Sequence, residues 1–236
     1  MKIITLHLIL LLSLSAYAQY NGNRWSITLN TVYTTSAKIY LDPNSADEVL
    51  RDNAFPLQGI VSPQVEVRYR ISDDIILGLS TEYMKATSSG ENLTAFSGLS
   101  TVSILLQDGF LLIPIEFSGY YLIPFSTDNF KFLMGGGMGY YFGSQIRKFG
   151  DVEVTNVKRP AAYGIHVIVT MDYLITDNFS VRGEMKFRDP QFEVTSQYTK
   201  TDVNYNGSII HLGQKEFDSK INVDGVSFIF GLTFHF

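Results

Sequence analysis

What most constrains this 236-residue chain is a two-residue alternation of apolar and polar side chains that recurs in eight segments. A strand turns successive side chains to opposite faces, so alternation of this kind gives one apolar and one polar face. The second segment is the sharpest, with Val61, Val65, Val67, Tyr69 and Ile71 on one parity and Ser62, Gln64, Glu66, Arg68 and Arg70 on the other. The first sets Trp25, Ile27, Leu29 and Tyr33 against Ser26, Thr28 and Asn30, and the third sets Ile75, Leu77, Leu79 and Tyr83 against Gly78, Ser80 and Glu82. The fourth, residues 111–123, opposes Ile113, Ile115, Phe117 and Tyr121 to Pro114, Glu116, Ser118 and Tyr120. In the fifth, Phe130, Phe132, Met134, Met138 and Tyr140 oppose Lys131, Gly135, Gly137 and Gly139. The sixth opposes Tyr163, Ile165, Val167, Val169 and Met171 to Gly164, His166, Thr170 and Asp172. The seventh opposes Phe179, Val181, Met185 and Phe187 to Ser180, Arg182, Glu184, Lys186 and Arg188, and the eighth puts Val226, Phe228, Phe230, Leu232, Phe234 and Phe236 on one face.

The connections alternate in length. Three are tight and alike: Ser72-Asp73-Asp74, Thr127-Asp128-Asn129 and Thr176-Asp177-Asn178, each followed at once by an apolar residue. Hydroxyl, Asp and Asn side chains bond their own backbone and tolerate turn geometry. The long connections cover roughly residues 36–58, 86–108, 144–160 and 189–222. Four long loops and three short turns are what eight antiparallel strands give when both chain ends lie on the short-turn side. The expected fold is therefore all-β, an eight-stranded antiparallel up-and-down transmembrane β-barrel.

Which face points inward decides between a membrane barrel and a soluble one. The apolar parity carries aromatics near the segment ends, at Trp25, Tyr33, Tyr69, Tyr83, Tyr121, Phe130, Tyr140, Tyr163, Tyr173, Phe179 and Phe187. Aromatic belts at both water boundaries belong to an outward, lipid-facing band about 25 Å tall. The opposite parity holds Glu66, Arg68, Arg70, Glu82, Glu116, Lys131, Arg182, Glu184 and Lys186, which are the candidate ion pairs of a narrow lumen. A closed barrel also satisfies every backbone group internally, as hydrocarbon demands.

Export is expected from the first residues. Lys2, an apolar run over residues 3–14, and Ala16-Tyr17-Ala18 before Gln19 read as a secretory signal peptide spanning 1–18, which leaves a barrel domain of 19–236. The run is too short to span as a helix, for which about 20 apolar residues are needed. Cysteine is absent, so neither disulfides nor a lipid-modified cysteine contributes. The formal net charge of −5, with no Lys/Arg run, argues against a nucleic-acid partner.

With these features in hand, the chain resembles the small outer-membrane barrels of the OmpW, OmpX and OmpA type, described as porin-like. The stretch PIEFSGYYLIPFSTDNFKFLMGGGMGYYFG, residues 114–143, is similar to their central hairpin, and the terminal GVSFIFGLTFHF resembles the C-terminal signal read by the barrel-insertion machinery. The resemblance implies a bacterial outer-membrane location and contact with outer-membrane lipid. It carries no functional residue with it.

Catalytic, cofactor and metal sites are not expected. Lipid-modifying barrels would imply a His with Ser or acidic partners, yet no His-x-Ser pair occurs at His166, His211 or His235. The acids Asp42, Asp47, Glu48 and Asp52 match no calcium-loop spacing, and Gly135-Gly136-Gly137 lacks the Lys-Ser/Thr of a phosphate loop. An eight-stranded interior is just wide enough for side chains, so the lumen charges are expected to plug rather than conduct. Small residues at Gly135, Gly137, Gly139, Ala162 and Gly164 leave room either for a ligand or for Tyr120 and Tyr141, with filling by side chains favoured. The expected function is structural, or binding through the long loops, or sideways passage of small apolar molecules through the wall. A lipid-modifying enzyme and a secreted soluble ligand-binding barrel are the alternatives.

Overall fold

A computed structural model describes residues 23–97, 100–205, 207–212 and 214–236, so the expected signal peptide lies outside the described residues. In chain order the strands are β1 (Trp25–Tyr40), β2 (Ala54–Arg70), β3 (Ile75–Glu82), β4 (Met84–Ser97), β5 (Ser100–Leu122), β6 (Phe130–Phe149) and β7 (Val152–Lys158). They continue as β8 (Ala162–Thr176), β9 (Phe179–Arg188), β10 (Gln191–Tyr198), β11 (Asp202–Tyr205), β12 (Ser208–His211), β13 (Glu216–Asn222) and β14 (Val226–His235). One helical turn, α1 (Glu48–Asp52), sits between β1 and β2, with the Asp47 side chain accepting from the Val49 N–H.

Eight of these strands close a ring. Antiparallel ladders join β1 to β2, β2 to β3, β3 to β5, β5 to β6, β6 to β8, β8 to β9, β9 to β14 and β14 back to β1. The closing ladder runs from Ser26 opposite His235 to Thr34 opposite Ser227. The fold is thus the eight-stranded antiparallel up-and-down barrel expected from the alternation. Each tight turn is fastened as its composition implies: the Ser72, Thr127 and Thr176 hydroxyls accept from the backbone N–H of Ile75, Phe130 and Phe179.

The outer face of the ring is apolar. Leu29, Met138 and Phe230 are 69%, 64% and 63% exposed, whereas Arg182 on the inner face is 1% exposed. Around the short turns, aromatic rings meet in pairs, Trp25 with Tyr69 and Phe130 with Tyr173, each at 4.6 Å between centroids. Eight residues separate Trp25 from Tyr33, and ten separate Phe130 from Tyr140. At a rise of about 3.4 Å per residue and a tilt of about 40°, these spans are roughly 21–26 Å along the axis. That is the height of the apolar band of a transmembrane barrel, about 25 Å.

The long connections are mostly not loops. β5 alone has 23 residues, where about 9–11 suffice to cross the bilayer. β4 and β5 form one tall hairpin, β6 turns at Gly150 into β7, and β10 pairs with both β7 and β13. The extension has its own apolar core. Its top holds Ile104, Leu106, Phe149, Val152, Tyr198, Val203 and Ile210. Lower down lie Ile39, Leu57, Ile60, Met84, Phe110, Leu112, Phe192 and Val194, with Tyr141 among them.

Polarity therefore inverts along the staves, because lipid surrounds the lower half and water the upper half. In β5 one parity suffices: Glu116 and Ser118 point inward below, and Leu112, Phe110 and Leu106 point inward above. β1 and β2 invert by a shift of parity instead. Thr34 and Ala37 both face inward with Thr35 and Ser36 between them, and Leu57 and Ile60 both face inward around Gln58 and Gly59. Gly59 has φ 65°, a left-handed conformation that glycine adopts at no steric cost.

Replacing Thr176 with Val removes the acceptor that holds the Asn178 and Phe179 N–H groups in the last short turn. The barrel is expected to lose about 1 kcal/mol of folding free energy in urea titration from lipid vesicles, and Thr176→Ser is expected to retain it.

Candidate functional site

The lumen at membrane height is filled by ion pairs. Arg182 makes a two-point contact with Asp172, Nε to Oδ1 at 2.7 Å and Nη2 to Oδ2 at 2.9 Å, while its Nη1 donates to Thr28 at 2.8 Å and to Glu66 at 2.9 Å. Arg68 donates to Glu184 at 2.8 Å, sits 2.9 Å from Glu66 through Nε, and lies 3.7 Å above the Tyr120 ring. Tyr120 donates to Glu66 at 2.6 Å, and Thr170 to Glu184 at 2.9 Å. Further from the short turns along the same lumen, Glu116 accepts from Lys186 at 2.7 Å and from Arg188 and Tyr141 at 3.1 Å each. Arg188 reaches Glu82 at 2.8 Å, and Glu82 also accepts from Ser62.

Seven of the expected lumen residues, Glu66, Arg68, Glu82, Glu116, Arg182, Glu184 and Lys186, belong to this network. Arg70 does not. It lies at the short-turn rim, where Nη2 pairs with Asp73 at 2.7 Å and Nε donates to the Ser72 carbonyl, because its position as the last residue of β2 carries the long side chain past the lumen mouth. Lys131 is half-buried near the same end, opposite Asp172 in register. The alternation had already put Asp172 and Arg188 on the inward parity; their part in the pairing appears only once the strands are in register.

The glycines of β6 make this filling possible. An added Cβ at Gly135 would lie 2.8 Å from the Tyr120 ring, and one at Gly139 would lie 3.1 Å from Tyr141. Gly137 stands between Ser118 on β5 and His166 on β8 in register, and across it Ser118 Oγ and His166 Nε2 are 2.8 Å apart. A second Ser–His contact, Ser180 to His235 at 2.8 Å, lies near the short-turn end. Neither pair could be found by local spacing, since each joins different strands. Both are sealed: the two serines and two histidines are at most 3% exposed. The expected filling of the small-residue space by Tyr120 and Tyr141 is what is seen.

Above the network lies the apolar compartment of Leu57, Ile60, Phe110 and their neighbours, and above that a polar tier and the apolar roof. In the tier between them Arg147 holds Asp108 at 2.6 and 3.1 Å and Tyr198 at 3.0 Å. Burial penalises the guanidinium charge, and the Asp108 carboxylate with Tyr198 more than offsets this, raising its pKa above the ordinary value. The residue falls in a stretch expected to be loop, so the sequence reading missed it.

The wall of this compartment is open on one side. Below, β2 pairs with β3 up to Gln64 opposite Glu82, and the Tyr83 N–H bonds the Pro63 carbonyl. Above Tyr83, β4 pairs with β5, and no ladder joins it to β2 among the described residues. A cleft of about 660 Å³ fills the gap, lined by residues 56–61 of β2 and 85–88 of β4. The prolines explain the break. Pro114 stands where a β5 partner of Glu82 would donate, and Pro56 and Pro63 deprive the β2 edge of two N–H donors. Because Tyr83 belongs to the upper aromatic belt, the seam begins where hydrocarbon ends.

No protein-family model and no curated protein matches the sequence. Among solved structures, the chain is similar to Ail, the attachment invasion locus protein of Yersinia pestis, at 10% identity over 91% of this chain and 99% of that one, with TM-score 0.47. It is similar to Neisserial surface protein A at 13% identity over 90% and 97%, with TM-score 0.48. It is similar to outer membrane protein AlkL in DMPC lipid bilayers at 13% identity over 94% of each chain, with TM-score 0.49. The architecture rests on the closed ring of ladders described above.

Glu116→Leu would leave Lys186 and Arg188 facing each other without their shared carboxylate. Such a loss is expected to cost about 3–5 kcal/mol in urea unfolding, and replacing Lys186 by Met in the same chain, which leaves the Arg188–Glu82 pair in place, is expected to recover part of it.

Proposed function

We propose that this chain, after removal of residues 1–18, is an outer-membrane barrel that blocks passage along its axis and admits small apolar molecules through its side. The observation that carries the reading is the unpaired seam between β2 and β4, whose cleft shares Leu57, Ile60 and Ala86 with the apolar cluster inside the wall. The ion-pair network floors that compartment and the upper apolar cluster roofs it, so the side is the remaining approach. Leu57 and Ile60 of β2 and Ala86 of β4 line the cleft and pack in or against the apolar cluster, with the exposed Gln58, Lys85, Thr87 and Ser88 among the rest of its lining.

The seam fits an opening better than a docking edge for another strand. Pro56 and Pro63 on β2, and Lys85 on β4, are the residue types that keep exposed strand edges from pairing. Lipid tails cover the outer band in this reading, and the apolar parity of β14 up to Phe236 serves recognition by the insertion machinery. The sealed Ser–His pairs are given a packing role and no catalytic one.

In planar bilayers the purified barrel is expected to show no stepwise ion conductance. The chain lacks cysteine, so Gln58→Cys with Thr87→Cys can be bridged specifically by a bis-maleimide across the cleft both residues line. Octane binding, followed by saturation-transfer NMR in detergent, is expected to fall on bridging. Discrete channels, or octane binding indifferent to the bridge, would refute the reading.

A further inference from the structure

The cleft in the wall carries a cation that no acid answers. Lys85 lines it from β4, exposed and two residues beyond Tyr83 of the upper aromatic belt. Other exposed lysines above the membrane band hold carboxylates: Lys38 pairs with Asp224 at 2.6 Å, Lys200 with Asp151 at 2.7 Å, and Lys148 with Glu153. Lys85 holds none among the described residues, and it is the one charged side chain in the lining of the cleft.

Backbone donors face the same space. Along a strand, the N–H and C=O groups of successive residues turn to opposite edges. The Tyr83 N–H bonds the Pro63 carbonyl of β2, so the N–H groups of Lys85 and Thr87 turn toward β2 as well. The Ala86 carbonyl between them turns the other way, since a Cβ added to Gly109 of β5 would lie 2.1 Å from it. By the same alternation, the Pro63 carbonyl sets the Val61 N–H toward β4. No ladder joins β2 to β4 among the described residues, so these three donors meet the cleft and not another strand. The Thr87 hydroxyl accepts from Gln107 at 3.4 Å, which leaves its own proton to give.

The foot of the cleft is apolar and opens toward the membrane. Val61 lines it and is 62% exposed on the outer face, with Tyr33 of the upper belt beside it in register. Two residues, at a rise of about 3.4 Å each and a tilt of about 40°, put Lys85 roughly 5 Å above Tyr83, at the level of lipid head groups. A hydrocarbon tail lying against Val61 therefore brings its head to the ammonium. The volume of about 660 Å³ falls among sites that hold small molecules, about 300–1,000 Å³.

We infer that the cleft binds a single-chain amphiphile with one negative charge, a medium-chain carboxylate, whose head is held by Lys85 and the backbone N–H groups beside it. The inference rests on entry from the side and adds which molecule the seam selects. One ammonium among neutral donors matches a head of single charge. A head bearing several phosphates would call for several cations, and the lining supplies one. The two carboxylate oxygens accept from the ammonium and from N–H groups that no strand has claimed, while the tail keeps to Val61, Leu57 and Ile60.

The test measures the preference for octanoate over methyl octanoate, its uncharged ester, on the purified barrel in a nonionic detergent at alkaline pH and low salt. Saturation-transfer NMR reads binding, and heat-modifiable migration checks folding. Lys85→Gln is expected to lower the preference roughly tenfold, the worth of one charge-assisted hydrogen bond at a partly wet site, and Lys85→Arg to keep it. Partition into micelles is common to all three barrels and drops out of the comparison. A preference unchanged in Lys85→Gln, lost equally in Lys85→Arg, or absent from the unmodified barrel overturns this inference while octane binding still supports side entry. An unmodified barrel that binds neither octanoate nor octane takes the side-entry reading down with it.

Discussion

A backbone N–H or C=O in hydrocarbon has no water to bond, and the rest of this structure follows from how the wall meets that demand. From the short turns to the upper aromatic belt every stave is paired on both sides, and the ladder from Ser26 to Thr34 closes the ring onto β14. The first missing ladder, between β2 and β4, begins only above Tyr83. An unpaired edge is tolerable there because water reaches it. The same prolines set within the membrane band would each have left a partner carbonyl in lipid.

Closing eight strands leaves a bore that side chains must fill, and the chain fills it with charge below and hydrocarbon above. Four buried cations, Arg68, Arg182, Lys186 and Arg188, face five buried carboxylates, Glu66, Glu82, Glu116, Asp172 and Glu184. Such pairs recover their desolvation cost only with close geometry and further hydrogen bonds, which Thr28, Thr170, Tyr120 and Tyr141 supply. Higher up water lies outside the wall, so an ordinary apolar core becomes the stable filling. The compartment and its seam sit at the junction of these two regimes.

The membrane half was legible in the sequence because hydrocarbon outside and charge inside enforce a clean alternation over each stave. Glu66, Glu116 and Arg182 could be placed in the lumen from parity alone, and the three Asp-bearing turns from composition. The half above the membrane band was not legible, and polarity inversion is the reason. At the junction both faces are apolar, as in Leu111-Leu112-Ile113, so the alternation fades and the strand looks finished although β5 continues to Ser100. In β1 and β2 the shift of parity at Ser36 and Gly59 breaks the period outright. Arg147 lies beyond that junction, which is why it did not stand out. The Ser118–His166 contact spans three strands and needs the register through Gly137.

The inversion of polarity also turns the map of tolerated change upside down halfway along a single strand. On β5, Ile115 and Leu105 point outward and are similarly exposed, at 45% and 54%. A lysine at the first would sit against acyl chains just below the upper belt, at a cost that grows toward about 2–4 kcal/mol at the midplane, whereas at the second it would meet water. Move one residue from Leu105 to Leu106 and the ammonium is enclosed in the roof. Height along the axis therefore governs what each position can become, and accessibility read without it misleads.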